Sequence, residues 1–86
     1  MELHDTINLM LSTNYQDRFK AEYYQLKIRA EKLDETIKNL KSRKSDFEPV
    51  SPIELLEIQL LNMREYLYTL ERRAKYEGID LKEGRD

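Results

Sequence analysis

The stretch TNYQDRFKAEYYQLKIRAEKLDETIKNLKSR, residues 13–43, contains neither glycine nor proline. Within it Phe19, Tyr23, Leu26, Ala30, Leu33, Ile37 and Leu40 follow one another at steps of 4, 3, 4, 3, 4 and 3. That is a seven-residue apolar repeat with both core positions filled, the mark of a long helix packing along one seam. Tyr15 extends the stripe one step backwards. Thr13 with Gln16 three residues on reads as a capping box, so the helix is placed at about 14–43, roughly 40 Å long at 1.5 Å per residue.

A second stripe lies downstream. Leu56, Leu60, Met63, Leu67, Leu70 and Ala74 step 4, 3, 4, 3 and 4. Ser51-Pro52-Ile53-Glu54 opens this segment with an N-cap serine, a proline at the first helical position and a capping glutamate. Gly78 supplies the stop, and Ile79 or Leu81 is placed back against the last turn. Between the two stripes Pro49 and a polar cluster make the turn, with Phe47 and Val50 folding over its end. Upstream, Leu3, Ile7, Met10 and Leu11 recur at helical spacing, a segment too short to be stable undocked. The expectation is all-α: a short N-terminal helix, then an antiparallel two-helix hairpin, assembling as a homo-oligomeric helical bundle. One domain spans 1–81, with helices at about 2–12, 14–43 and 52–77, and 82–86 form a disordered tail.

Composition narrows the chemistry. The 86 residues carry 15 Lys and Arg against 17 Asp and Glu, a formal charge of −2, with 37% of residues charged. Without Cys there is no disulfide, thiolate metal site or thiol nucleophile. His4 is the single histidine, so a di-metal bundle site, which needs Glu-x-x-His on facing helices, fails. The acids interleave with Lys and Arg, as in Glu22/Arg18 and Glu31/Lys27, which is how solvated helix faces look. No catalytic residue, metal or cofactor is expected. No apolar run is long enough to span a bilayer, and a cytoplasmic location is expected, that of the host cell if the chain is phage-encoded.

Helical-wheel geometry then exposes a surplus. With Phe19 at zero and about 100° per residue, Ala21, Tyr24 and Ile28 fall on the face opposite the stripe. With Leu56 at zero, Ile58, Leu61 and Tyr68 do the same on the other helix. One internal seam does not cover two faces of each helix. The short first helix can cover one patch, and the remainder points to self-association or a partner, with these six residues assigned to the surface between copies. Basic runs at Lys38, Lys41, Arg43, Lys44 and at Arg72, Arg73, Lys75 sit at helix C-termini, where the macrodipole favours cations. The six tyrosines suit half-wet interfaces and can stack on bases beside an Arg or Lys.

The residues Ala21-Glu22 through Ile28-Arg29-Ala30-Glu31-Lys32-Leu33, and Pro52 through Leu55-Leu56 to Leu70-Glu71-Arg72, resemble the helical-hairpin domain of two phage signal sponges. These are the anti-CBASS cyclic-oligonucleotide sponges and the anti-Thoeris sponges. The resemblance implies a compact homo-oligomer, often a hexamer, that binds nucleotide immune messengers without cleaving them. It implies that Tyr15 stacks on a base, that Lys27 or Arg29 meets the phosphate of a cyclic dinucleotide, and that Arg72 or Arg73 serves a separate cyclic-trinucleotide pocket. Ala30 stands where the sponges have glycine, and the β-rich portion of the anti-Thoeris sponge has no counterpart here.

Three functional readings follow. The first is a phage anti-defence sponge that sequesters cyclic di- or trinucleotides, with self as the other partner and no membrane. The second is a small helical adaptor or inhibitor that binds a host or phage protein through its apolar faces. A nucleic-acid accessory factor is third. The net charge speaks against duplex binding, and the two basic clusters fall at opposite ends of a hairpin.

Overall fold

In the computed structural model the described residues are 1–42 and 51–82. They are helical, with no strand among them: a 3-10 turn at Leu3–Thr6, then α1 (Ile7–Met10), α2 (Tyr15–Lys41) and α3 (Ile53–Glu77). The expectations for Arg43, Lys44, Phe47, Pro49 and Val50, and for the tail at 83–86, lie outside the described residues.

The two heptad stripes meet. One apolar cluster joins Phe19, Tyr23 and Tyr24 of α2 to Leu70 and Ala74 of α3, with Leu26 and Leu67 packed against it. A second joins Ala30, Ile37 and Leu60, with Leu33, Leu56 and Met63 alongside. Polar ties flank this seam. Tyr15 bonds Glu77, Tyr23 bonds Glu71, Asp34 pairs with Arg64, and Lys41 pairs with Glu57. Across these four the α2 number rises while the α3 number falls. Tyr66 adds a bond to Glu22. Burial and its hydrogen bond to Glu71 hold the Tyr23 phenol well above the usual tyrosine range, so it stays a donor at any physiological pH.

The N-caps of α2 and α3 each shift by one residue from the sequence expectation. Asn14, not Thr13, caps α2, its side-chain oxygen accepting from the Gln16 amide at 2.7 Å. An Asx side chain reaches two residues on more readily than the Thr13 hydroxyl reaches three. Pro52 is the cap of α3 rather than its first residue: its backbone is extended at φ −58°, ψ 147°, and its carbonyl accepts from Leu55 and Leu56. Gly78 ends α3 at φ 70°, and the Ile79 amide closes on the Ala74 carbonyl at 2.9 Å. Ile79 is buried there as expected.

The larger correction concerns α2. Ala21 and Tyr24, assigned to a surface between copies, are buried within the chain at 2% and 4% exposure, and Ile28 is half-buried. The wheel argument let the first segment cover one patch at most and left the C-terminal return out of account. Both terminal segments cover α2. Ile79 and Leu81 join the cluster around Tyr24, whose hydroxyl donates to the Leu81 carbonyl. The 3-10 turn and α1 pack along α2, where Gln25, one turn beyond Ala21, bonds Thr6. The N-terminal segment is also not one helix over 2–12, because its α-helical part is only four residues long.

Leu70 has no exposed surface. Leu70→Ala is expected to lower stability by about 2–5 kcal/mol, whereas Leu61→Ala, at an exposed position, should stay within about 0.5 kcal/mol. Urea unfolding followed by circular dichroism separates the two outcomes.

Candidate functional site: a cleft between the N-terminal segment and α2

The residues singled out for ligand binding fall in four separate places. Tyr15 and Arg73 do meet, but they satisfy each other. The Tyr15 hydroxyl donates to Glu77 at 2.8 Å and accepts from Arg73 Nη2 at 2.8 Å. Arg73 Nε donates to Glu77 at 3.1 Å, and its guanidinium lies 5.0 Å from the Phe19 ring centroid. Tyr15 itself packs edge-on against Phe19. The Tyr15 hydrogen bond, aided by Arg73, holds the Glu77 carboxyl below its usual range, and the same bond to Glu77 raises the Tyr15 phenol. This ring of three side chains fastens the start of α2 to the end of α3.

Lys27 lines a small cleft of about 200 Å³ that also presents Glu31, Asp34 and Glu71. Three carboxylates against Lys27 and Arg64 make it a poor place for a phosphate. Arg72 stands on the outward face of α3, its guanidinium 5.7 Å from the Tyr68 ring centroid. Both border an open groove of about 770 Å³, completed by Glu71, Lys75 and Tyr76. All five come from one helix.

Arg29 has different surroundings. It borders a cleft of about 580 Å³ with one wall from the N-terminal segment (Glu2, Leu3, His4, Thr6, Ile7, Met10) and the other from α2 (Gln25, Arg29, Lys32). Spacings of 4 and 3 put Gln25, Arg29 and Lys32 on one face of α2, and Leu3, Ile7 and Met10 repeat the same spacing across from them. Thr6 fixes the joint between the walls. It is 1% exposed, donates to the Leu3 carbonyl at 2.7 Å and accepts from Gln25 Nε2 at 2.9 Å. The Gln25 amide also reaches the Met10 sulfur at 3.6 Å.

Further bonds hold the N-terminal segment in place. Ser12 donates to Asp17 at 2.9 Å and Arg18 donates to the Ser12 carbonyl at 3.0 Å. The charges of the cleft are Arg29, Lys32 and Glu2, with His4 beside Asp5 at 3.2 Å. An apolar floor, two cations and one carboxylate suit a phosphate-bearing ligand with a flat apolar part and polar edges. The volume is that of a small-molecule site.

Sequence reasoning named Arg29 and missed Lys32, Gln25, Thr6 and the apolar wall. The matching 4 and 3 spacings were visible in both segments. What the sequence lacked was any sign of which face the first segment docks on.

A family model described as Sequestin matches residues 13–76. The chain belongs to the Sequestin family. The matched segment of this Sequestin chain takes in α2 and α3 whole but for Glu77, and with them Gln25, Arg29 and Lys32 of the cleft. The N-terminal wall lies outside it. No curated protein matches the chain, and no solved structure matches it. Among the described residues no helix is long and apolar enough to cross a membrane.

Because Glu77 is held below its usual range, the tie it makes is present at neutral pH and is lost as pH falls through that lowered value. Glu77→Gln is therefore expected to reduce stability at neutral pH and to converge with the parent protein in acid. Denaturation midpoints measured from neutral pH down through the carboxylate range test this. Parallel curves would contradict it.

Proposed function

We propose that this Sequestin-family chain, folded as an antiparallel helical hairpin, captures a nucleotide messenger and holds it without cleaving it. The family name points to a sequestering role, and the sponge resemblance points to cyclic di- or trinucleotides as the cargo, taken up in the host cytoplasm of a phage-encoded protein. The carrying observation is the cleft of Arg29 and Lys32, because it pairs these cations with an opposed apolar wall. Charge-assisted hydrogen bonds from Arg29 and Lys32 hold phosphate oxygens. Leu3, Ile7 and Met10 take the flat face of a base, and Glu2 accepts from a base amine or ribose hydroxyl.

Release without reaction follows from the same inventory. Cleaving a phosphodiester needs an activated nucleophile and a means of stabilising the leaving oxygen. The cleft offers cations that steady the ground state, and its one hydroxyl, that of Thr6, is 1% exposed and already donates to the Leu3 carbonyl. Tyr15 sits 14 residues before Arg29 on α2, about 21 Å along the axis, and is held by Glu77 and Arg73, so it takes no part at the cleft. The apolar surface that remains is the exposed face of α3 with Ile58, Leu61 and Tyr68. Self-association therefore belongs to the proposal.

A specific observation favours the adaptor reading as an alternative: Leu55, Ile58 and Leu61 on α3 are each more than half exposed. A protein partner docked there would leave the cleft empty.

Native mass spectrometry of the protein with a panel of cyclic di- and trinucleotides and cyclic ADP-ribose isomers tests the proposal. One class is expected to be retained. Arg29→Glu combined with Lys32→Glu is expected to weaken that retention by about 10-fold or more, as the loss of charged hydrogen bonds implies, while Lys27→Glu leaves it unchanged. Retention of no nucleotide would favour the adaptor.

A further inference from the structure

The outer face of α3 carries a second seven-residue repeat. Glu54, Ile58, Leu61, Glu65, Tyr68 and Arg72 step 4, 3, 4, 3 and 4, and every one of them is exposed. This stripe faces away from the buried Leu60, Leu70 and Ala74. Ile58, Leu61 and Tyr68 are 53%, 56% and 60% exposed, more apolar surface than a solvated helix face needs. Its charges are sorted along its length: the two glutamates, Glu54 and Glu65, come before the two cations, Arg72 and Lys75. None of the four has an ion pair among the described residues, and Arg72 lies over the Tyr68 ring.

We infer that this face pairs with the same face of a second copy of the chain, the two α3 helices running antiparallel about a twofold axis. The charge order decides the direction. Parallel pairing would set Glu54 on the partner's Glu54 and Arg72 on the partner's Arg72, like charges in contact. Antiparallel pairing reverses one copy and sets opposite charges together. The repeat then decides the register. In an antiparallel seam the Ile58–Glu65–Arg72 set faces the Glu54–Leu61–Tyr68 set of the other helix.

The register that places Arg72 on the partner's Glu54 also places Tyr68 on the partner's Ile58, and sets Leu61 beside the partner's Glu65. Twofold symmetry makes each of these contacts twice. Sliding one heptad one way meets Glu65 with the partner's Glu54. Sliding the other way sets Ile58 on the partner's Lys75. The slide that meets Glu65 with the partner's Glu54 keeps an apolar pair, Leu61 on the partner's Ile58. Only the first register joins a cation to an anion while keeping an apolar pair, Tyr68 on the partner's Ile58. The groove bordered by Tyr68, Arg72 and Lys75 is then the receiving surface for the first turn of the partner's α3, and Tyr and Arg are the side chains that anchor such contacts.

This deepens the self-association in the proposed function by assigning its surface. It is tested without ligand, so its failure and that of nucleotide capture are read separately. The strip is about 27 Å long between Glu54 and Arg72 at 1.5 Å per residue and one helix wide, which implies a reversible dimer.

Sedimentation equilibrium from micromolar to millimolar protein is expected to show monomer and dimer exchanging with concentration. Arg72→Glu alone and Glu54→Arg alone are each expected to weaken the dimer at least about 10-fold, given charge reversal at two symmetric contacts. Mixing the two variants, or combining both changes in one chain, is expected to restore it. Circular dichroism confirms that each variant stays helical. In this cysteine-free chain, Ile58→Cys mixed with Tyr68→Cys is expected to give the mixed disulfide in preference to either homodimer. A monomer at every concentration would overturn the inference and give the face to another partner. A dimer that ignores both charge reversals, or one that the combined change does not rescue, would overturn it as well.

Discussion

Each long helix of this protein carries apolar residues on more than one face, and a helix pair has one seam. The rest of the structure follows from how the surplus is covered. At one end of α2, Phe19, Tyr23 and Tyr24 form a single cluster with Leu70, Ala74 and Ile79. Tyr24 points away from the heptad stripe, and it is buried because the chain returns beyond Gly78 to cover it. A left-handed residue at Gly78 makes that return possible, since it reverses the chain directly after the last helical turn. On the neighbouring face the N-terminal segment does the same service through Thr6 and Gln25. α2 is thus covered on three sides, while α3 keeps its outer face bare.

That asymmetry divides the work between the helices. Laying the N-terminal segment along α2 both covers apolar surface and makes a cleft, because the segment is too short and too irregular to fill the space beside Arg29 and Lys32. α3, with no such cover, is left as a regular rod whose outer stripe is suited to another rod. Tyr15, Arg73 and Glu77 close the open end of the pair. Their mutual hydrogen bonds explain why two residues that look like ligand contacts in the sequence act as a fastening instead.

Much of the fold was legible because the heptad spacing of both helices is uninterrupted. Phe19, Tyr23, Ala30 and Ile37, and Leu60, Leu70 and Ala74, are all in the observed core. Gly78 and Ile79 also behave as their local chemistry dictates. Illegible were the contacts between segments with no shared period. Nothing in the text around Tyr24 says that Leu81 will cap it, and wheel geometry placed Ala21 and Tyr24 outside for that reason. The candidate site failed to read for the same cause. Arg29 is one of several cations on α2, and only the position of Leu3, Ile7 and Met10 across from it distinguishes it from Lys27, whose surroundings are acidic. Spacing identifies which residues share a face, but the occupant of that face is a tertiary fact.

The central claim is that the chain holds its nucleotide without changing it. The most direct measurement is to load the protein with a retained messenger, incubate it, denature it, and identify what is released by chromatography and mass. Sequestration predicts that the messenger returns intact and in the amount bound, however long the incubation. Linearised or hydrolysed product released in place of the messenger would show cleavage and contradict the account.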